Sequence, residues 1–303
     1  MAKTEFEESE YEGPLYNQLL NGNLRIWTPG RMFERIVGID SAVFANNQYF
    51  WSLFGSINPI SGISLRDYDW HFLWHLMTRV FRPFPKFKIN LLIQAKRPTH
   101  IENENIDYCA KGICGEFWYF FITTHQQAIL EKLEQKLALD ALVIYACPAF
   151  HQFAALDNNI ETGQIVENST FVKPSALVNH TKWVFNSPGT TGLACSKINE
   201  HSDKPFIEML EDLERRFETK TDETSKNNLE KLKKIIETIC TELPENSIIK
   251  AYLKRNERLV KYLNEIKSNI YGNSEVSYMD IVNFMSLTQF MVTANINWYS
   301  FEE

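Results

Sequence analysis

Two short apolar segments carry polar side chains whose types can together hold a metal ion and a phosphate. In residues 89–95 the chain is almost wholly apolar, but Gln94 and Lys96 lie two positions apart at its end. Side chains two apart in a strand point to the same face. A second apolar run, residues 39–44, has Asp40 near its start. A carboxylate, an amide carbonyl and an ammonium group brought together by neighbouring strands can bind a divalent cation and steady a phosphate. The pattern therefore indicates metal-dependent phosphodiester hydrolysis.

The charge distribution favours a nucleic-acid contact at the same place. The net charge of −7 argues against a protein that coats nucleic acid indiscriminately. Between Trp70 and Ile101, however, there is no Asp or Glu. We expect a phosphate backbone to lie along this basic segment. Its basic residues are Arg79, Arg82, Lys86, Lys88, Lys96 and Arg97, of which Arg82, Lys86, Lys88 and Arg97 are the predicted nucleic-acid-binding residues.

Hydrophobic periodicity predicts an α/β protein with a mixed sheet, because a strand–helix–strand crossover places helices on the faces of a sheet. From about residue 204 the chain becomes rich in Glu and Lys, with Leu and Ile at helical spacing. We therefore expect a first part over residues 1–200, with an insertion at about 46–87, and a helical C-terminal region over 201–303. The predicted elements of the first part are a helix at 5–21 that starts or kinks at Pro14, a strand at 34–45, the strand ending at Lys96, a strand at 117–123, a helix at 125–138 and a strand at 140–147.

Gly38-Ile39-Asp40 followed by Leu92-Ile93-Gln94-Ala95-Lys96-Arg97 resembles the core of the PD-(D/E)xK nucleases, in the Gln-x-Lys form of Mrr-like restriction endonucleases. The resemblance covers roughly residues 5–150, since the helix at 125–138 and the strand at 140–147 follow in the order of that family. It implies a restriction-endonuclease-like fold, with a mixed central sheet flanked by helices. The gap between Asp40 and Gln94 is longer than the family spacing, so the insertion must loop out of the sheet.

The resemblance implies a role for each residue of the motif. Asp40 would be the primary metal ligand, and Gln94 would be the second through its side-chain carbonyl. Lys96 would orient the attacking water or stabilise the charge that develops on the phosphate. The cofactor would be Mg²⁺, with Mn²⁺ as a substitute. The activity implied is that of a DNA endonuclease in prokaryotic restriction or anti-phage defence.

A fourth catalytic and metal-binding group in that family is often a glutamate from the first helix. Glu10 and Glu12 compete here with Glu34, which lies six residues before Asp40 and shares its face if that strand begins early. We favour Glu34. Gln126 or Gln127, at the start of the following helix, is expected to make an accessory contact.

Each polar residue also has a structural interpretation. Asp40 can end a turn, and Gln94 with Lys96 can form the solvated face of an edge strand. The alternative function is thus a catalytically inactive nuclease-fold module that binds nucleic acid or protein. The helical C-terminal region is a candidate surface for a regulatory partner or for a second copy of the chain.

The remaining features predict a cytoplasmic protein. The first residues lack the apolar stretch of a secretory signal, and no apolar run is long enough for a bilayer span. The five cysteines are odd in number and scattered, so we expect reduced thiols. Cys109 and Cys114 lack the second pair of a zinc ribbon. His71 and His75 lie among aromatic residues, and we expect them to pack rather than to bind zinc.

Overall fold

The computed structural model describes residues 3–19, 25–27, 42–44, 90–218, 225–270 and 278–299. Within these ranges the protein contains eight α-helices and two sheets of four and five strands, together with a two-stranded ribbon. The predicted mixed α/β class is confirmed. The helices are α1 (Glu8–Leu19), α2 (Ile106–Cys109), α3 (Thr124–Leu137), α4 (Phe153–Thr162), α5 (Phe206–Glu218), α6 (Ser225–Glu242), α7 (Ser247–Ile270) and α8 (Tyr278–Ala294). The strands are β1 (Arg25–Trp27), β2 (Ala42–Phe44), β3 (Asn90–Ala95), β4 (Thr99–Ile101), β5 (Phe117–Phe121), β6 (Ala141–Pro148), β7 (Ser169–Val172), β8 (Lys182–Phe185), β9 (Gly192–Cys195), β10 (Asn199–His201) and β11 (Asn297–Tyr299).

The four-stranded sheet has the order β11-β3-β6-β7 and is mixed, as predicted. Its two central strands, β3 and β6, are parallel, with Gln94 opposite Tyr145. All residues of both strands are buried, which explains why their sequences are nearly continuous apolar runs. The outer strands β11 and β7 pair antiparallel with them. The ends of β3 and β6 near Lys96 are therefore held on both sides.

The five-stranded sheet is antiparallel throughout, in the order β10-β9-β8-β5-β4. Strand β5 confirms the strand predicted over 117–123, but it belongs to this second sheet rather than to that of β3. The short connection between Ala95 and Thr99 links β3 of the first sheet to β4 of the second. The candidate strand thus ends where the two sheets are joined.

Two predicted helices are present with shifted ends. Helix α1 begins at Glu8, so Pro14 lies inside it rather than at its start. Helix α3 buries Leu130, Leu133 and Leu137, three apolar residues at helical spacing. The strand predicted over 34–45 and the insertion over 46–87 lie outside the described residues, except for β2, which pairs with β1.

The C-terminal helices share a core with the sheets. Leu92 of β3, Tyr145 of β6, Ile236 of α6 and Phe290 of α8 belong to one cluster of buried side chains. The predicted helical character of residues 201–303 is present in α5 to α8, but the described part of this region ends in a strand, β11. The boundary at residue 200 stays a prediction.

The cysteine prediction is wrong for one pair. Cys109 and Cys114 form a disulfide, which two thiols five residues apart can do where a tight turn brings them together. Cys147, Cys195 and Cys240 are free. Among the described residues, no helix has both the length and the apolar composition needed to cross a membrane.

Candidate active site

The candidate site lies at the C-terminal end of β3, where Gln94 is the last residue but one of the strand and Lys96 is the first residue after it. Only part of the predicted set falls within the described residues. The pairing of Asp40 with Gln94 and the phosphate contacts of the basic segment stay predictions. The predicted residues outside the described ranges are Glu34, Asp40, Arg82, Lys86 and Lys88.

Gln94 and Lys96 are not the solvated face of an edge strand, so that interpretation is wrong. The exposed fraction is 0% for Gln94 and 9% for Lys96. Strand β3 is flanked on both sides, by β11 and β6. A buried amide and a buried ammonium group both destabilise a fold unless they are hydrogen-bonded. Their surroundings must therefore supply specific partners.

The partner of both residues is Gln126, in the first turn of α3. Its Oε1 accepts a hydrogen bond from Lys96 Nζ at 2.5 Å, and its Nε2 donates to Gln94 Oε1. The same Nε2 donates to the carbonyl oxygen of Ala294 at 3.0 Å. Gln94 completes the network by donating through its own Nε2 to the carbonyl of Ala95 at 2.8 Å. One amide thus fixes both motif side chains.

This network confirms the accessory contact predicted for Gln126 but not for Gln127. The side chain of Gln127 accepts a hydrogen bond from the Tyr145 hydroxyl at 2.7 Å and donates to the Pro174 carbonyl at 2.8 Å. Gln127 therefore anchors α3 to the core. A carbonyl oxygen has two lone pairs, so Gln94 Oε1 can accept from Gln126 and still contact a cation.

The electrostatics around Lys96 combine burial with two carboxylates. Burial lowers the pKa of Lys96, and the carboxylates of Glu8 and Glu12 act in the opposite direction. The ammonium group also lies 5.6 Å from the centroid of the Tyr145 ring, within the range of a cation–π contact. A titratable group whose pKa is shifted by burial and by specific neighbouring charges is a candidate functional residue.

Helix α1 brings these carboxylates to the site. Glu8 and Glu12 are one turn apart, on the stripe that also contains the buried Tyr11 and Leu15. Glu10 instead accepts a hydrogen bond from the backbone N–H of Glu7 at 2.7 Å, in the first turn. Of the two helix candidates for the fourth group, Glu12 is thus the one placed near Lys96.

Glu8 was not predicted from the sequence, although a signal was present. The spacing of Glu8, Tyr11, Glu12 and Leu15 is i, i+3, i+4, i+7, so two acidic residues interrupt a stripe that is otherwise buried. An acidic residue on the inward face of a helix needs a partner, whereas one on the outward face does not.

Cys147 lies at the end of β6, beside the same groups. Burial raises the pKa of its thiol, the Glu8 carboxylate raises it further, and Lys96 acts in the opposite direction. The reactive form of cysteine is the thiolate, so a raised pKa keeps this side chain inert. The site is not built for nucleophilic catalysis by cysteine.

Arg97 points to the N-terminal segment. Its guanidinium lies 3.4 Å from a Glu7 carboxylate oxygen and donates to the backbone carbonyl of Thr4. Arg97 thereby ties the residues before α1 to the end of β3. The DNA contact predicted for it stays a prediction.

The donor atoms available suit a hard divalent cation. Mg²⁺ prefers oxygen ligands and keeps several of its waters. Glu8 and Glu12 offer carboxylate oxygens, and Gln94 offers an amide oxygen. These residues fit the Mg²⁺ that the predicted chemistry implies. Another group of potential ligands in the described residues, Glu104 with Cys109 and Cys114, has both sulfur atoms engaged in the disulfide.

No protein-family model, curated protein or solved structure matches this chain.

Proposed function

We propose that this protein is a metal-dependent DNA endonuclease with a restriction-endonuclease-like fold of the PD-(D/E)xK type, acting in prokaryotic restriction or anti-phage defence. The observation that carries the proposal is the buried Lys96, joined by hydrogen bonds to Gln94 through Gln126, with the charges of Glu8 and Glu12 favouring its protonated form. The order of α1, β3, α3 and β6, with β3 parallel to β6, supports it, because the resemblance implied that order.

The residues divide the chemistry between them. The carboxylates of Glu8 and Glu12 and the Gln94 carbonyl, with Asp40, would hold Mg²⁺. When bound, the cation lowers the pKa of a water molecule and offsets charge on the phosphate. Lys96 stabilises the charge that develops on the phosphate, and its burial makes that interaction stronger than in water. Gln126 fixes the position of the ammonium group before the substrate arrives.

A second candidate function, a catalytically inactive module that binds nucleic acid or protein, is favoured by one observation. Gln94 is fully buried, and its carbonyl oxygen already accepts a hydrogen bond from Gln126. Glutamine also adds no negative charge for the cation. A site that binds Mg²⁺ too weakly would retain the fold without turnover.

The test is the conversion of supercoiled plasmid to nicked and linear DNA, with Mg²⁺, with Mn²⁺ and with EDTA. We expect cleavage only with a divalent cation, and a loss of about 100-fold or more for Lys96→Met and for Asp40→Ala. Lys250→Met is the matched control, because Lys250 is exposed and pairs with Glu245. DNA binding without cleavage would support the inactive module. Equal cleavage by all four proteins would show that the assignment is wrong.

A further inference from the structure

The C-terminal end of the described chain lies directly over the candidate active site. Strand β11 pairs antiparallel with β3, with Asn297 opposite Ile93. At the start of β3, Asn90 Oδ1 accepts a hydrogen bond from Trp298 Nε1 at 3.0 Å, which also holds β11 against β3. The turn from α8 into β11 is thereby brought onto the N-terminal helix α1, from which it is separated by more than 250 residues.

Two asparagines of this turn contact the carboxylates of the site. Asn295 Nδ2 donates to Glu8 Oε1 at 2.8 Å, and Asn297 Nδ2 donates to Glu12 Oε1 at 3.2 Å. In each pair the asparagine fixes one oxygen of the carboxylate. A carboxylate held in this way presents its other oxygen in a defined direction, as outer-shell partners do for metal ligands.

The backbone fixes the position of Asn295. This residue has φ of 53°, the left-handed conformation that asparagine tolerates better than most residues. The N–H of Ile296 closes the end of α8 by donating to the Met291 carbonyl at 2.9 Å. In the same turn the Ala294 carbonyl accepts from Gln126. One turn thus contacts both halves of the site, the carboxylates on α1 and the amide that holds Lys96.

We propose that Asn295 and Asn297 are positioning residues that orient the Glu8 and Glu12 carboxylates for the divalent cation, so that the C-terminal turn completes a site built mainly from the first half of the chain. This inference rests on the proposed nuclease function. It assigns the C-terminal region a part in metal binding that acts through the Glu8 and Glu12 carboxylates.

The test compares the full-length protein with Asn295→Gly, Asn297→Ala and the double variant. Glycine keeps the positive φ at residue 295 without steric conflict and removes only the amide. Gln289→Ala is the matched control, because the Gln289 amide donates to Thr293 Oγ1 within α8. Two quantities are measured: the Mg²⁺ concentration for half-maximal plasmid cleavage, and Mn²⁺ binding to the DNA-free protein by electron paramagnetic resonance.

We expect each single variant to weaken Mn²⁺ binding and to raise the half-maximal Mg²⁺ concentration by about 10-fold, with the cleavage rate largely restored at saturating Mg²⁺. The control should match the wild type in both measurements. Wild-type metal dependence in the double variant, alongside an active wild type, would overturn the inference and leave the nuclease function standing. A wild type that binds Mn²⁺ without cleaving DNA would overturn the nuclease function, and the Mn²⁺ affinities of the variants would still decide the inference. A wild type that neither cleaves nor binds Mn²⁺ would overturn both.

Discussion

Lys96 is the residue at which stability and proposed function oppose each other. Burial destabilises its charged form, and this is why the pKa of Lys96 is lowered even though Glu8 and Glu12 lie nearby. A fold has no structural need for an ammonium group at such a position, because an apolar side chain of similar volume packs at least as well. A lysine at this position is best explained by its charge.

This reasoning predicts that Lys96→Met abolishes cleavage without lowering stability. Near neutral pH we expect the variant to equal the wild type in unfolding free energy or to exceed it by less than about 1 kcal/mol, because the removal of the desolvated charge outweighs the loss of its hydrogen bond to Gln126 Oε1. As the pH rises from the lowered pKa of Lys96 towards the ordinary lysine value of about 10.4, the folded protein releases a proton that the unfolded chain still holds. Wild-type stability then rises relative to the variant and the gap closes.

The measurement is urea unfolding of both proteins across that pH range, alongside the plasmid assay. Lys250→Met again serves as the control and should show no pH-dependent gap. A Lys96→Met protein several kcal/mol less stable than the wild type would mean that the ammonium group holds the fold together, and would contradict the prediction.

Gln126 and Gln127 provide a second contrast at the residue scale. Gln126→Ala removes the hydrogen bonds to Lys96 Nζ, Gln94 Oε1 and the Ala294 carbonyl, and Gln127→Ala removes those to the Tyr145 hydroxyl and the Pro174 carbonyl. Because a buried polar group without a partner is destabilising, we expect both variants to lose about 2 kcal/mol or more of unfolding free energy. Only Gln126→Ala should lose cleavage when both are assayed well below their melting temperatures. Equal loss of cleavage would indicate that Gln126 acts only through stability.

At the scale of elements, the sequence predicts those helices and strands whose own residues show a hydrophobic period. The apolar runs of β3 and β6 and the stripe Ile129, Leu130, Leu133 of α3 each have a period that identifies the element type. Strand β11 is three residues long and has no such period. Its existence depends on pairing with β3, about two hundred residues earlier, so neither Asn295 nor Asn297 could be placed at the site from sequence alone.

The candidate site was predictable to the same degree. Gln94, Lys96 and Gln126 belong to elements with strong patterns, and they come together as expected. Glu8 is not among the predicted residues because Pro14 made the start of α1 ambiguous, although the spacing of Glu8, Tyr11, Glu12 and Leu15 carries the signal. Strands β7 to β10 are short, and their pairing partners are determined by packing rather than by hydrophobic periodicity.

Gly192, the first residue of β9, allows a prediction for the second sheet. A Cβ atom at this position would lie 2.4 Å from Trp183 Cζ2 and 2.6 Å from the Val184 carbonyl oxygen. Trp183 is fully buried and the carbonyl is backbone, so neither can move aside cheaply. We expect Gly192→Ala to lower the unfolding free energy by about 2 kcal/mol or more, measured by urea denaturation.

Gly163→Ala is the comparison variant. A Cβ atom at residue 163 has open space around it, but the φ of +65° adds backbone strain, so this variant gives the effect of strain without a steric clash. A Gly192→Ala protein as stable as the wild type would show that β8 and β9 are less tightly paired than the structure has them.

At the scale of the whole molecule, buried residues from both sides of residue 200 belong to one core cluster. Buried residues of the first sheet, the second sheet and the C-terminal helices form one cluster, in which Leu92, Phe120, Ile236 and Phe290 all take part. Strand β11 adds backbone pairing between the last described residues and β3. Contacts of this kind couple the stability of distant segments, so the C-terminal helices should not unfold independently of the sheet.

This coupling predicts that a destabilising mutation in α8 also lowers the protection of the β3 and β6 amides from hydrogen exchange. Phe290→Ala removes a fully buried ring and should lower the unfolding free energy by about 3–5 kcal/mol. Val292→Ala is the matched control, because Val292 lies two residues away and is 65% exposed. If the chain unfolds as one unit, native-state hydrogen exchange should become faster by a similar factor in α8 and in the amides of β3 and β6. Faster exchange confined to α6, α7 and α8 would instead identify a separate C-terminal unit. In that case Asn295 and Asn297 could separate from the Glu8 and Glu12 carboxylates while the sheet stayed folded. Unfolding of the C-terminal region would then change the metal affinity of the site.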